Sequence, residues 1–367
     1  MSSFLVRMDE RLLVETDSVK RGELVARQAG YLARIGRFAE SREKIAELRK
    51  VFGDGRSGRV TAFIMLAEGL ILHYEQLGSG ASDRIARAQL LGEAMRDREV
   101  VALSSAWRAH LHFESSKFEM AVRSIRTTFQ NAEPNDHDAR VRCSVVLFNA
   151  FAICGMRAQS QCWFMDGRDH ALKDGDQASI DALLHSRAAF GVAWLRAQRC
   201  KGIEDEVAMS IVRAEVASAR NLQALTRVAA HSTYIDLCDA RLQIMEGRFL
   251  SAKDLLMRIR NAGPYPGGHF NQGLVELEIA YCESKINQLD AGLVRFAAMP
   301  SRELASLDID DRLVAAWMLF ELAKVDDRFG SSKEFKDQFE KLLTEYETFV
   351  EMVRTLFAEF STRMLPG

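Results

Sequence analysis

Apolar residues gather in helix-length stretches along the whole chain, and the strict alternation of a half-buried strand is scarce. Ala, Leu, Arg, Glu and Met dominate these stretches, and all five are good helix formers. Prolines stand only at 134, 264, 266, 300 and 366, so the first third of the chain contains none. Proline inside a helix removes a hydrogen bond and clashes with the preceding turn. The pattern predicts an all-α protein.

A period runs through the stretches. Glycine or a small polar residue recurs at Gly36, Gly78, Ser116, Gly155, Gly202, Gly247, Asn287 and Gly330, at intervals of 38 to 47 residues. Each follows one apolar stretch and precedes another, where a chain leaving a helix needs a left-handed residue. Seven positions upstream stand Ala29, Ile71, Ala109, Phe148, Leu195, Ala240, Ala280 and Ala323. Five positions downstream, in the clearest units, stand Ser41, Ala121, Ser160, Ala252 and Gly292. Small side chains at both sites predict two antiparallel helices in close approach.

Three units add an aromatic just after the turn: Gly36-Arg-Phe38, Ser116-Lys-Phe118 and Gly247-Arg-Phe249. The stretch from Ala240 through Gly247, Phe249, Ala252, Leu256 and Ile259 to Pro264 resembles a tetratricopeptide repeat nearly throughout. The units at 29–48 and 109–128 match it in part, and those around Gly78, Gly202 and Gly330 poorly. The intervals exceed the family's usual ~34 residues, and HEAT-type repeats of ~40–47 fit the period better and the motif worse. The resemblance implies an all-α, right-handed superhelical solenoid of about eight antiparallel hairpins over residues 1–330.

Residues 331–367 read differently. Ser331-Ser-Lys-Glu334 is a capping box. Apolar positions follow at Phe335, Phe339, Leu342, Tyr346, Phe349, Val353, Leu356 and Phe360, and a second column runs through Leu343, Val350, Phe357 and Met364. This predicts a long amphipathic C-terminal helix packed on the array. Its aromatic face would cap the last hairpins, or dock and dimerise through Phe339, Tyr346, Phe349, Phe357 and Phe360.

Composition narrows the function. Hydrophobic residues make up 48% and charged residues 27%, in the range of folded soluble domains, and the net charge is −2. No basic run marks a nucleic-acid binder. The N-terminus carries acidic residues by position 9 and no long apolar run, so neither a signal peptide nor a membrane span is expected, and the cytoplasm is the expected compartment. The six cysteines lack a C-x-x-C spacing and read as buried reduced thiols.

Candidate chemistry is thin. The eight histidines form no H-E-x-x-H, and His110 and His112, two apart on a helix, face different ways. His137, between two acids after Pro134, reads as part of a cap and turn. Gly53-Asp-Gly55-Arg-Ser-Gly58 lacks the lysine of a phosphate loop, and Gly78-Ser-Gly80-Ala-Ser-Asp83 has no preceding strand. Gly263-Pro-Tyr-Pro-Gly-Gly268 reads as a stiff loop between repeats. Neither catalytic residues nor a metal or other cofactor are expected.

One column invites a binding role. Six positions before each marker stand Gly30, Leu72, His110, Asn149, Arg196, Arg241, Tyr281 and Lys324, mostly polar, aromatic or basic. In the family that the chain resembles, this position lines the concave groove. The resemblance therefore implies a solvent-facing wall in which His110, Asn149, Arg196, Arg241 and Tyr281 grip a peptide or partner helix. The expected function is a protein-interaction scaffold or adaptor. A regulatory sensor taking a peptide or small effector in the same groove is the alternative, and an RNA-binding helical repeat comes after it.

Overall fold

The computed structural model describes residues 2–53, 55, 57–76, 80–226, 232–262, 271–298 and 306–361. Among them are 17 α-helices and no strand. Gly78, the 263–268 loop and Met364 lie outside the described residues. Helix α1 (Ser3–Val14) precedes sixteen helices that pair along the chain. The pairs are α2 (Ser18–Arg34) with α3 (Phe38–Phe52), α4 (Gly58–Gln76) with α5 (Ala81–Met95), and α6 (Arg98–Glu114) with α7 (Phe118–Asn131). Next come α8 (His137–Ile153) with α9 (Arg157–Asp174) and α10 (Gln177–Cys200) with α11 (Glu206–Thr226). Then follow α12 (Ser232–Met245) with α13 (Phe249–Ala262) and α14 (Gln272–Lys285) with α15 (Leu289–Ala298). The last pair is α16 (Ile309–Val325) with α17 (Ser332–Phe357).

The turns explain the period. All seven described markers have positive φ, from 56° at Ser116 to 131° at Gly330. In six of them the residue after the marker donates its N–H to the carbonyl five positions back: Arg37 to Leu32, Lys117 to His112, Met156 to Phe151, Ile203 to Gln198, Arg248 to Gln243 and Gln288 to Glu283, at 2.8–3.0 Å. This is the Schellman closure, which satisfies helix-end carbonyls and needs a left-handed residue at the marker. Arg96 and Gly175 close the α5–α6 and α9–α10 links in the same way, through Asp97 to Gly92 and Asp176 to Ala171.

The small-residue columns meet across the pairs. All eight upstream positions are buried, and so are the five downstream ones. The Ser41 hydroxyl donates to the Ala29 carbonyl at 2.7 Å. A side chain on Gly292 would stand 3.0 Å from the Ala280 carbonyl oxygen. Two of the first helices are covered on every side along much of their length: Val100–Trp107 of α6 and Val141–Phe151 of α8 are buried without a break. The second helix buries a single face, as α7 does through Ala121, Val122, Ile125 and Thr128.

The chain divides into two compact units. One comprises residues 1–151, 156–183 and 356–367, and the other residues 152–155 and 184–355. In the first unit, the beginning touches the end. Ser3 Oγ donates to the Gly175 carbonyl at 3.0 Å, and Arg34 makes a bidentate pair with Asp176 at 2.9 and 3.1 Å. The core of the second unit runs through α12–α16 and takes in Leu342 and Tyr346 of α17.

Ser331 caps α17, with Glu334 N–H donating to Ser331 Oγ at 3.3 Å, which is one of the two bonds of a capping box. The aromatic residues of the C-terminal segment are engaged within the chain. Tyr346 is buried, and Phe339 is half-buried with its ring stacked on Phe320. Phe349 is half-buried. Phe357 and Phe360 are buried in the first unit, Phe357 against Phe113 and Phe118, and Phe360 against Phe129. Five of the six cysteines are buried and none is disulfide-bonded. Burial pushes the Cys200 and Cys238 thiols up to about 12, far from the reactive thiolate. No described helix is long and apolar enough to cross a membrane.

Candidate functional site

In the second unit, three of the four column residues expected to face solvent are inside, and Lys324 alone is exposed. Arg196 is 5% exposed, Arg241 7% and Tyr281 3%. Glu278 of α14, fully buried, accepts from Arg196 Nη2 at 2.8 Å and from Arg241 Nε at 2.9 Å. Arg196 Nη1 also donates to Asp311 Oδ1 at 2.6 Å. These four residues join α10, α12, α14 and α16. Desolvation opposes charge on Asp311, but Arg241 and Arg196 outweigh it and hold its pKa below the ordinary value. Tyr281 packs its ring against Trp317 and Phe249, at 5.6 and 6.1 Å. Arg196 and Arg241 therefore spend their charge on the chain's own carboxylates, and the expectation of a solvent-facing wall does not hold at these positions.

The first unit has a counterpart to this network. Arg27 of α2 pairs with Glu23, Glu99 and Asp138, while Arg59 of α4 pairs with Glu23, Asp97 and Glu99. Arg142 of α8 is fully buried and lies on the Trp107 ring, 3.9 Å from its centroid. Its Nε has no hydrogen-bond partner among the described residues. Desolvation pulls the Arg142 pKa down, with neighbouring Arg34 adding to it. Asn149 is buried too, its side-chain carbonyl without a hydrogen-bond partner among the described residues.

His110 is the column residue with the most chemistry. Its Nε2 stands 3.1 Å from Glu114 Oε1, one turn on in α6, and His73 Nε2 of α4 stands 3.7 Å from Glu114 Oε2. Burial holds His73 down at about 4, so it is neutral at pH 7. Desolvation works against the charge on Glu114, but His110, His73 and Arg142 outweigh it and keep the carboxyl at about 2.

A polar cleft of about 600 Å³ opens in the same unit beside Arg27, and His137 lies on its wall. Six carboxylates line it, from Glu23, Glu99, Glu133, Asp136, Asp138 and Asp174, against three arginines, Arg11, Arg27 and Arg98. Desolvation, and then the abutting Asp138 carboxyl, push Asp174 up to about 8. Asp138 Oδ1 is buried without a hydrogen-bond donor among the described residues. His137 Nδ1 lies 2.8 Å from His170 Nδ1, which ties the start of α8 to α9.

Sequence reasoning missed His73, Glu114, Glu278, Asp311 and the Asp138–Asp174 pair. A local signal existed for one of them, because His110 and Glu114 are four apart and must share a face. The others come from helices distant in the chain. Comparison with protein-family models and with curated proteins finds no match for this chain.

Proposed function

We propose that this chain is a non-enzymatic interaction scaffold, a helical-repeat protein of the tetratricopeptide-like type, that grips a basic segment of a partner protein in the acidic cleft of its first unit. The carrying observation is the carboxyl pair Asp138–Asp174, which shares the cleft with four more carboxylates. Arg27 pairs with Asp138 and Arg7 with Asp174, but the six lining carboxylates outnumber the three lining arginines, so a lysine or arginine from a partner would add counter-charge through charge-assisted hydrogen bonds. Arg27 is already committed to Glu23, Glu99 and Asp138, so it offers little to an anion. Arg196, Arg241 and Tyr281 of the expected column serve instead as internal frame of the second unit.

Fluorescence anisotropy with labelled lysine-rich and glutamate-rich peptides tests the reading. Wild type should bind the basic peptide alone, more weakly as salt rises. Glu133→Lys combined with Asp136→Lys, at the outer part of the cleft, should abolish that binding while the circular dichroism stays unchanged. Equal binding of both peptides, or none of either, sinks it.

A further inference from the structure

We propose that His73, His110 and Glu114 form a binding site for a divalent transition metal of the zinc class. His110 and Glu114, four residues apart, project from one face of α6, and His73 reaches the same point from α4. The three ligand atoms lie within 4.8 Å of one another. In a tetrahedral site with bonds of about 2.0–2.2 Å, ligand atoms stand roughly 3.4 Å apart. The two histidines approach different oxygens of the Glu114 carboxylate, His110 Nε2 at 3.1 Å from Oε1 and His73 Nε2 at 3.7 Å from Oε2, and side-chain rotations that draw the three groups together close the site.

The surroundings favour a cation. His73 lies in the last turn of α4, and Glu114 is the last residue of α6. Both residues therefore sit at helix C-terminal ends, which carry partial negative charge. Two nitrogens and one oxygen suit zinc, cobalt or nickel, whereas calcium and magnesium require oxygen shells. The Glu114 side chain is 46% exposed, so a fourth position is open to water or a further ligand. Arg142 opposes the ion with its own charge, which makes the site weaker than a closed four-ligand structural centre.

A purely structural His–Glu hydrogen bond is the competing account, and Glu114→Gln separates the two, because an amide keeps the hydrogen bond and loses the charge. The full chain, stripped with chelator, is titrated with Co²⁺ and Zn²⁺ by visible absorption and calorimetry. Trp107 serves as a local reporter, its ring 5.7 Å from that of His110. The expected result is one saturable site per chain, with the weak visible bands of nitrogen and oxygen ligation and Co²⁺ quenching that Trp107→Phe removes. Glu114→Gln and His73→Ala should each weaken binding by about tenfold or more, since even outer-shell partners are worth 10–100-fold. Glu114 is half in solvent, so its variant carries the test even where His73→Ala does not fold. Binding that both variants leave intact, intense sulfur-to-cobalt bands from the cysteines, or no stoichiometric binding at micromolar Zn²⁺ overturns the proposal.

Discussion

Glu278→Gln is the sharpest perturbation that the second unit offers. The substitution keeps the shape and removes one charge from a site with no exposure at all. Two guanidiniums, on Arg196 and Arg241, then face an amide and the single carboxylate of Asp311. Removing one partner from a buried ion cluster costs about 3–5 kcal/mol, because an uncompensated charge stays behind. Asp311 keeps part of the compensation, so the lower end, about 3 kcal/mol, is expected. A domain of 150–250 residues loses roughly 2–4 °C of Tm per kcal/mol, which places the fall at about 6–12 °C. Replacing the cluster in one step, by Arg196→Met, Arg241→Met and Glu278→Leu together, should recover most of the loss, since apolar groups of similar volume need no partners. Urea denaturation followed by circular dichroism and tryptophan fluorescence gives both numbers. A Glu278→Gln variant within about 1 kcal/mol of wild type, or a triple variant less stable than the single one, refutes the argument. Charge reversal at Arg196 and Arg241, the natural test of a groove, would break this cluster, and any lost binding would then report a damaged core.

Two further outcomes are expected. Ser116 occupies a left-handed position that glycine fills in other turns, so Ser116→Gly should stabilise the protein by up to about 1 kcal/mol and Gly36→Ala destabilise it by about 1–2 kcal/mol in urea melts. Asp174 carries a folded-state pKa of about 8, above its unfolded value near 4, so the folded state binds the extra proton and stability falls as pH rises from about 4 to about 8. Asp174→Asn should then gain on wild type as Tm is measured from pH 5 to pH 8, and a constant gap between the two contradicts the assignment.

The turn chemistry and the close seams were legible because both are local. A left-handed residue and two small side chains leave their mark within one hairpin, and Ser116 and Asn287 stand in the series beside the glycines for the same backbone reason. The polar column was legible as a column but not as a network. Arg196 finds Glu278 82 residues away and Asp311 115 residues away, and no window of sequence reveals whether a polar side chain meets water or another helix. The family template set those residues in a groove, whereas Asn149, Arg196, Arg241 and Tyr281 are enclosed. The C-terminal aromatic stripe showed how much apolar surface had to be covered, and its period carries no information on which helices cover it. His73 escaped notice for a related reason, since its partners lie on α6, 37 and 41 residues ahead.

The contacts of Ser3 and Arg34 with residues 175–176 change how the first unit should come apart. An open row of repeats loses structure from its outermost members, because each is held from one side only. Here the opening hairpin is fastened to the closing one, so neither has a loose flank at which fraying can start. Unravelling must begin by breaking that clasp, and amide protons along the first and fourth pairs should then exchange with solvent in a single joint event rather than in a graded order from the tip inward.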